Sequence, residues 1–491
     1  MTLKSKTYSG FKIYFLFAII SVIFLFFASY TTSPLTKGYV EWDSVIFMLL
    51  GRFWKEGLTP YTDFFDHKGP VMFFIEYIGV NLLPDERSGV FLLQAINLTF
   101  VQIIIFRTAQ LVLSFAESMA TVLLSLLVLS LTIQGGNLTE EYSLAFLMLA
   151  LYFTLKYCTS EKPRISFLQM FWVGISAAFL FWMRPTNMGI ICSCCLFLLI
   201  MSVNSKKWKD LQNLISGTIC GFITLSVIII GYYLNAGTFN EMIYATFTFN
   251  LKYALNPDGI KITDGNMAYY IKIWLSVTVL AIGTIVNFFQ TKDKRGLLLA
   301  GLMFGINVFS TICVGPGFHH YVTLNIPCFV LGCIFLIKAT DHIRYRNMIL
   351  WTGIIFLTVA SFIALGYKAH NLKKDSVHWE YVDQVRDISA NIPDSDIRQV
   401  YGYNVHSKFW YYSGFLPYFK YFMLQERHGL IDNEILQQIN DKMKSESPMW
   451  VVIQPEASDK KVVNPVFYEI LSKKYHLYAK NRAFELYKLN P

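Results

Sequence analysis

Charge is scarce in this chain. Only 15% of its 491 residues are Asp, Glu, Lys or Arg, against 54% hydrophobic, and the mean hydropathy is +0.42. That shortage excludes a soluble enzyme of ordinary surface, because a folded chain of this length needs far more charge to cover itself. Cysteine is also sparse and stops early: Cys158, Cys192, Cys194, Cys195, Cys220, Cys313, Cys328 and Cys333 all precede residue 340, so no disulfide framework holds the tail. Cys192, Cys194 and Cys195 lie in ICSCCLFLLI with no His or acidic neighbour, which makes them small packing residues rather than metal ligands. The basic residues form no stripe interleaved with aromatics, so the net charge of +9 is not a nucleic-acid signature.

What the chain has instead is apolar runs. Windows of roughly 20 residues, long enough to cross about 30 Å of hydrocarbon, recur through its first three-quarters. The fold class expected is a polytopic α-helical membrane protein of about eleven spans, followed by a C-terminal extracytoplasmic α/β domain. Candidate spans are 13–30, 89–113, 118–134, 141–157, 167–183, 186–204, 212–235, 269–290, 297–315, 321–338 and 348–366. Lys4, Lys6 and Lys12 precede the first run and no A-x-A site follows it, so it reads as a retained helix with a cytoplasmic N-terminus. The basic loops Lys156–Arg164, Lys206–Lys209, Lys292–Arg295 and His342–Arg346 then all fall in the cytoplasm. This parity holds only if 71–83, a short stretch containing Glu76, is an interfacial or re-entrant piece of the first outer loop (31–88). The expected division is a transmembrane domain over 1–366 and a soluble domain over 367–491, in the cell membrane with the tail outside.

Sidedness sorts the unusual polar residues. Glu41 to Pro70 (EWDSVIFMLLGRFWKEGLTPYTDFFDHKGP) concentrates Glu41, Asp43, Arg52, Asp63, Asp66, His67 and Lys68 beside a bilayer, and falls outside. So do Glu140 and Glu141 in GGNLTEEYS, Arg184 in FWMRPTNMG, and His319, His320 and Tyr321 in GPGFHHYVTL. The loop from Gly237 to Ala268, with Asn250 and Tyr253, is on that side too. In the tail, 398–403 and 449–453 read as buried strands, and 380–392 and 432–445 as amphipathic helices.

These residues supply two things. Asp43 or Glu41, at the start of an amphipathic helix over 43–54, can act as a base, and Glu140 or Glu141 gives a second acidic position. Lys68, Arg184, His67, His319 and His320 can receive an anion. Carboxylates beside cations at an outer membrane edge suit a lipid phosphate whose head group reaches the surface. Displacing that phosphate from a sugar needs a base for the incoming hydroxyl and cations for the leaving group. Asp63 and Asp66 either bind a divalent cation or order the loop around Pro60 and Tyr61; no metal site is assigned. Asn250 and Tyr253 are candidates for sugar hydroxyls, or simply interfacial residues, and Tyr321 is a candidate substrate contact.

The pattern GRFWKEGLTPYTDFFDHKGP, followed by NLTEEY, RPTN and HHY, resembles the polytopic C-type glycosyltransferases. Within them it is most similar to bacterial relatives of protein O-mannosyltransferases and of the lipid A aminoarabinose transferase. The resemblance implies Asp43 as catalytic base, Glu140 or Glu141 as the second acid, and Lys68 as the holder of the donor phosphate. It also implies a polyprenyl-phosphate-linked sugar as donor and a cell-envelope polysaccharide, lipid or protein as acceptor. Lys68-Gly69-Pro70 stands where the family has Lys-Pro-Pro, and Ser44 where many relatives have a second acid; these departures bear on subfamily and acceptor. The alternative is a transporter or flippase of lipid-linked saccharides. Such a protein would favour inverted repeats and mid-membrane ionisable residues, whereas this sequence has no internal repeat and only Arg107 well inside a long apolar run.

Overall fold

The computed structural model describes residues 10–36, 38–40, 42–255, 267–312, 318–341, 345–455 and 463–491. Glu41, a candidate base, and Gly315, Pro316 and Gly317 lie outside the described residues. The chain folds as two compact units: Met1–Lys37, Val90–Gly231 and Lys261–His370 in one, and Gly38–Gly89, Tyr232–Ile260 and Asn371–Pro491 in the other.

Among the described residues the regular elements of the first unit are all helices, as a backbone that must bond to itself in hydrocarbon requires. Within the described residues the expected spans fall largely on helix, as at Gly10–Ala28, Phe115–Thr132, Thr139–Thr159 and Phe167–Met183; residues 313–315 of the span expected over 297–315 lie outside them. Among the described residues eight helices are long and apolar enough to cross a membrane by length and composition; Pro70–Leu82, Phe167–Met183 and Val277–Thr291 are shorter apolar helices. Association among apolar helices depends on close packing, and small residues permit it. A Cβ on Gly221 would lie 2.0 Å from the Phe171 carbonyl oxygen, and one on Gly174 2.1 Å from that of Thr218, so Phe167–Met183 and Trp208–Asn235 touch backbone to backbone. All seven described cysteines are free thiols.

The second unit is built on a four-stranded sheet: β1 (Val400–Tyr403), β2 (Trp450–Ile453), β3 (Tyr475–Lys480) and β4 (Glu485–Leu489). Its order is β1-β2-β4-β3, with β1 and β2 parallel, Val400 opposite Trp450, and the other pairings antiparallel. VYGY and WVVI are fully buried, which is why they lack the alternation of a half-exposed strand. The helix expected over 380–392 runs instead over Ser376–Ser389, because Asp375 caps it by accepting the His378 N–H at 3.1 Å. The one expected over 432–445 is Glu434–Ser445.

Trp42–Lys55, the expected amphipathic helix, also belongs to this unit. The stretch read as interfacial or re-entrant is the helix Pro70–Leu82, which packs against it so closely that a Cβ on Gly51 would lie 2.6 Å from the Glu76 carbonyl oxygen. Arg52 is structural here: its Nε donates to Glu86 Oε2 at 2.7 Å and its guanidinium lies 4.9 Å over the Tyr411 ring.

Candidate functional site

In the second unit the loop before Pro70 delivers the charged residues to the start of the helix Trp42–Lys55. The loop is fixed at nearly every step. Asp63 Oδ2 accepts the Thr59 N–H at 2.7 Å, the Tyr61 N–H donates to the Phe64 carbonyl at 2.9 Å, and Asp66 Oδ1 accepts the Lys68 N–H at 2.8 Å. The Tyr61 hydroxyl donates to the Lys68 carbonyl at 2.8 Å, and the Phe65 N–H to the Lys420 carbonyl at 2.9 Å. Asp63 and Asp66 thus do what short carboxylates do in turns.

Lys68, held in this way, places its ammonium 5.6 Å over the Phe47 ring, one helical turn after Asp43. Its Nζ lies 3.1 Å from His67 Nε2; an ammonium can only donate, so this contact puts the imidazole proton on Nδ1. Burial pushes the Asp66 carboxyl above its usual range; the Lys68 ammonium and the Lys68 N–H pull it down, and Asp43 is close enough to push it up further. Asp43, in the first turn of its helix, is half-buried and gains from the positive end of the helix dipole. Asp43, Asp66, His67 and Lys68 therefore make one acid–cation cluster.

Asn250 and Tyr253 serve this loop. Asn250 Nδ2 donates to the His67 carbonyl at 2.7 Å, and the Tyr253 ring stacks on His67 with centroids 6.1 Å apart. Phe47, Lys420 and Arg427, whose guanidinium donates to the Tyr253 hydroxyl at 3.4 Å, were not singled out from the sequence. Of these, Phe47 at i+4 from Asp43 carried a signal, its place on the same helix face.

The first unit holds a second cluster. Pro185 ends the helix Phe167–Met183 and leaves Arg184 extended, with φ −165° and ψ 101°. Its Nη1 donates to Glu140 Oε1 at 2.5 Å and its guanidinium lies 4.4 Å over the Tyr321 ring. His320 Nε2 lies 4.0 Å from Glu140 Oε2, while its Nδ1 lies 2.8 Å from Gln134 Oε1. His320 and Tyr321 are buried; His319 is half-buried.

Glu141 turns another way, since neighbours on a helix point about 100° apart. Its carboxylate accepts from Gln94 Nε2 at 3.1 and 3.2 Å and from the Asn137 N–H at 2.8 Å. It holds a turn in which Gln134, Gly135, Gly136 and Asn137 all have positive φ, of 44°, 94°, 78° and 61°. Glu140 faces cations; Glu141 anchors the turn that carries Gln134. The Gly-Gly pair signalled that turn, but nothing in the sequence marked Gln94 or Gln134 as partners. Among the described residues no group of three or more His, Cys, Asp and Glu side chains is placed to hold a metal ion.

Residues 67–232 match the family model described as dolichyl-phosphate-mannose-protein mannosyltransferase. That stretch includes Lys68, Glu140 and Arg184 but not Asp43 or His320. The crystal structure of ArnT from Cupriavidus metallidurans bound to undecaprenyl phosphate is 11% identical, covers 98% of this chain and 98% of its own, and superposes with a TM-score of 0.62. Its apo state is 12% identical, covers 97% of this chain and 98% of its own, and gives 0.62. No curated protein sequence matches the chain. The fold is that of a polytopic helical membrane protein with a small C-terminal sheet domain, and it is ArnT-like over nearly its whole length. The likeness to C-type glycosyltransferases read from the sequence is thus borne out by the family match and by the fold.

Proposed function

We propose that this chain is an inverting glycosyltransferase that moves a sugar from a polyprenyl-phosphate donor to a cell-envelope acceptor at the outer face of the cell membrane. The observation that carries the proposal is the cluster of Asp43, Asp66, His67 and Lys68 built by one ordered loop and one helix start. The family match, and a fold shared with a protein crystallised with undecaprenyl phosphate, support the same reading.

The acceptor hydroxyl oxygen attacks the anomeric carbon while Asp43 takes its proton. The bond from that carbon to the phosphate oxygen breaks, its electron pair stays on the polyprenyl phosphate, and the configuration inverts. Lys68 offsets the charge that grows on the leaving phosphate, with His67 beside it. In the first unit Glu140, fixed by Arg184 and beside His320, is taken as a second acidic position, with the Arg184 guanidinium over the Tyr321 ring. Asp66 keeps Lys68 in place through its backbone. The basic loops lie in the cytoplasm and the cluster outside, where sugars arrive on lipid carriers rather than as nucleotide sugars.

The test uses membranes containing the full chain and a labelled polyprenyl-phosphate sugar. Label should appear on an envelope acceptor with one polyprenyl phosphate released per sugar. Label that crosses the membrane still joined to its lipid would overturn the transferase reading and favour transport.

A further inference from the structure

The second unit contains a feature that the reaction just described does not use. Residues 239–255 form a strap: helix Phe239–Ile243, a π-turn Tyr244–Phe249 and helix Asn250–Leu255. Its far end touches the loop of Lys68, through Asn250 Nδ2 on the His67 carbonyl at 2.7 Å and Tyr253 stacked on the His67 ring. Phe249 sits among Phe65, His67 and His428, with ring centroids 5.4, 6.0 and 5.4 Å away.

A buried carboxylate of the C-terminal region ties the strap as well. Asp432, 5% exposed, ends the helix Gln425–Ile431. Its Oδ2 accepts the Tyr244 hydroxyl at 2.5 Å and the Lys252 ammonium at 2.6 Å, and its Oδ1 accepts the Glu434 N–H at 3.3 Å. Tyr244 opens the π-turn and Lys252 lies three residues past its end, so one oxygen ties both ends of it. A π-turn adds a residue to the helix it interrupts, and such turns are frequent at functional sites. Burial alone would raise the Asp432 carboxyl, but the bonds from Lys252 and Tyr244 prevail and hold it below the usual range, so the tie is charged at neutral pH.

We infer that Asp432 is a positioning residue for the donor phosphate: it latches the strap, and the strap sets the backbone of His67 and thereby the reach of Lys68. The inference rests on the assignment of Lys68 to the donor phosphate. It gives the C-terminal region a part in donor binding, distinct from any choice of acceptor.

The experiment measures undecaprenyl phosphate binding to the full-length chain in detergent, together with thermal unfolding, for the wild type and for Asp432→Asn, Tyr244→Phe and Lys68→Ala. Asp432→Asn keeps the shape and loses the charge. It should weaken binding about tenfold, as the loss of one hydrogen bond to a charged group does, while the unfolding temperature and the KM for acceptor stay put. Tyr244→Phe removes one of the two ties and should weaken binding about threefold. A charge-reversed pair, Asp432→Lys with Lys252→Asp, should recover part of the loss. Wild-type affinity in Asp432→Asn and Tyr244→Phe, with Lys68→Ala weakened, overturns the latch and leaves the donor site standing. Unchanged affinity in Lys68→Ala overturns the donor assignment itself, and the latch with it.

Discussion

In one unit Arg184 gives its guanidinium to Glu140 at 2.5 Å, with side chains 16% and 1% exposed. In the other, Lys68 rests its ammonium against the His67 ring and over the face of Phe47, and among the described residues no carboxylate lies within ion-pair distance of it. The first arrangement is already neutralised. Two desolvated charges tolerate burial only as a pair, so removing either leaves the other stranded. The second keeps a cation in reserve at a half-buried position, with Asp43 and Asp66 near enough to shape its field but not to neutralise it by contact. A paired cation is best suited to positioning a carboxylate, and an uncommitted one to receiving a phosphate. That contrast assigns different work to two clusters which, in composition alone, look alike.

The contrast can be broken most forcefully at Arg184. Arg184→Leu should lower stability by about 3–5 kcal/mol, because buried Glu140 loses its guanidinium partner; Glu140→Gln combined with Arg184→Leu should regain part of that loss in thermal unfolding. Lys68→Ala should do the reverse, leaving unfolding unchanged and weakening polyprenyl phosphate binding roughly 10- to 100-fold, the worth of a hydrogen bond to a charged group. Were the two variants to show the same profile, the contrast would fail. Within the first unit, Glu141→Gln keeps acceptor capacity and should reduce transfer only about threefold, whereas Glu140→Gln should cost about a hundredfold. Equal losses would erase the distinction drawn from their hydrogen bonds.

A smaller effect concerns pH and the aromatic packing behind Lys68. Burial, with Arg427 and Lys68 adding, holds the His428 imidazole down at about 3 against an ordinary 6.5. Its folded form is therefore neutral, and the unfolded chain binds the extra proton. The stability it contributes is full above about pH 6.5 and is lost as pH falls toward 3. His378 and His406, each lowered to about 4 by burial and by Lys408, slope the same way. His428→Phe, between the rings of Phe65 and Phe249, should remove at most about 1.4 kcal/mol per pH unit from that slope. An unchanged slope in acid unfolding would contradict the burial of a neutral ring.

How much of this was legible before the structure depends on the range of the interaction. Apolar length marked the membrane helices, eight of which are long and apolar enough to cross among the described residues, since a span is a local property of twenty or so residues. The buried strands Val400–Tyr403 and Trp450–Ile453 were equally local. β3 escaped because YHLYAK is mostly exposed and carries no apolar alternation, and the short helices Ser407–Ser413 and Gln425–Ile431 because seven residues give too few turns for a period. The charged residues of both clusters could be named because charge is conspicuous beside a bilayer. Their partners could not, because Lys252 meets Asp432 across 180 residues and Asn250 meets the His67 carbonyl across 183. The same limit kept Glu140 and Glu141 equivalent until their neighbours were seen.

The most direct test of the central claim is sugar transfer by Asp43→Asn measured alongside undecaprenyl phosphate binding by the same preparation. A base that touches only the acceptor hydroxyl predicts a fall in transfer of about a thousandfold with binding at the wild-type level. Transfer at the wild-type rate would contradict the account.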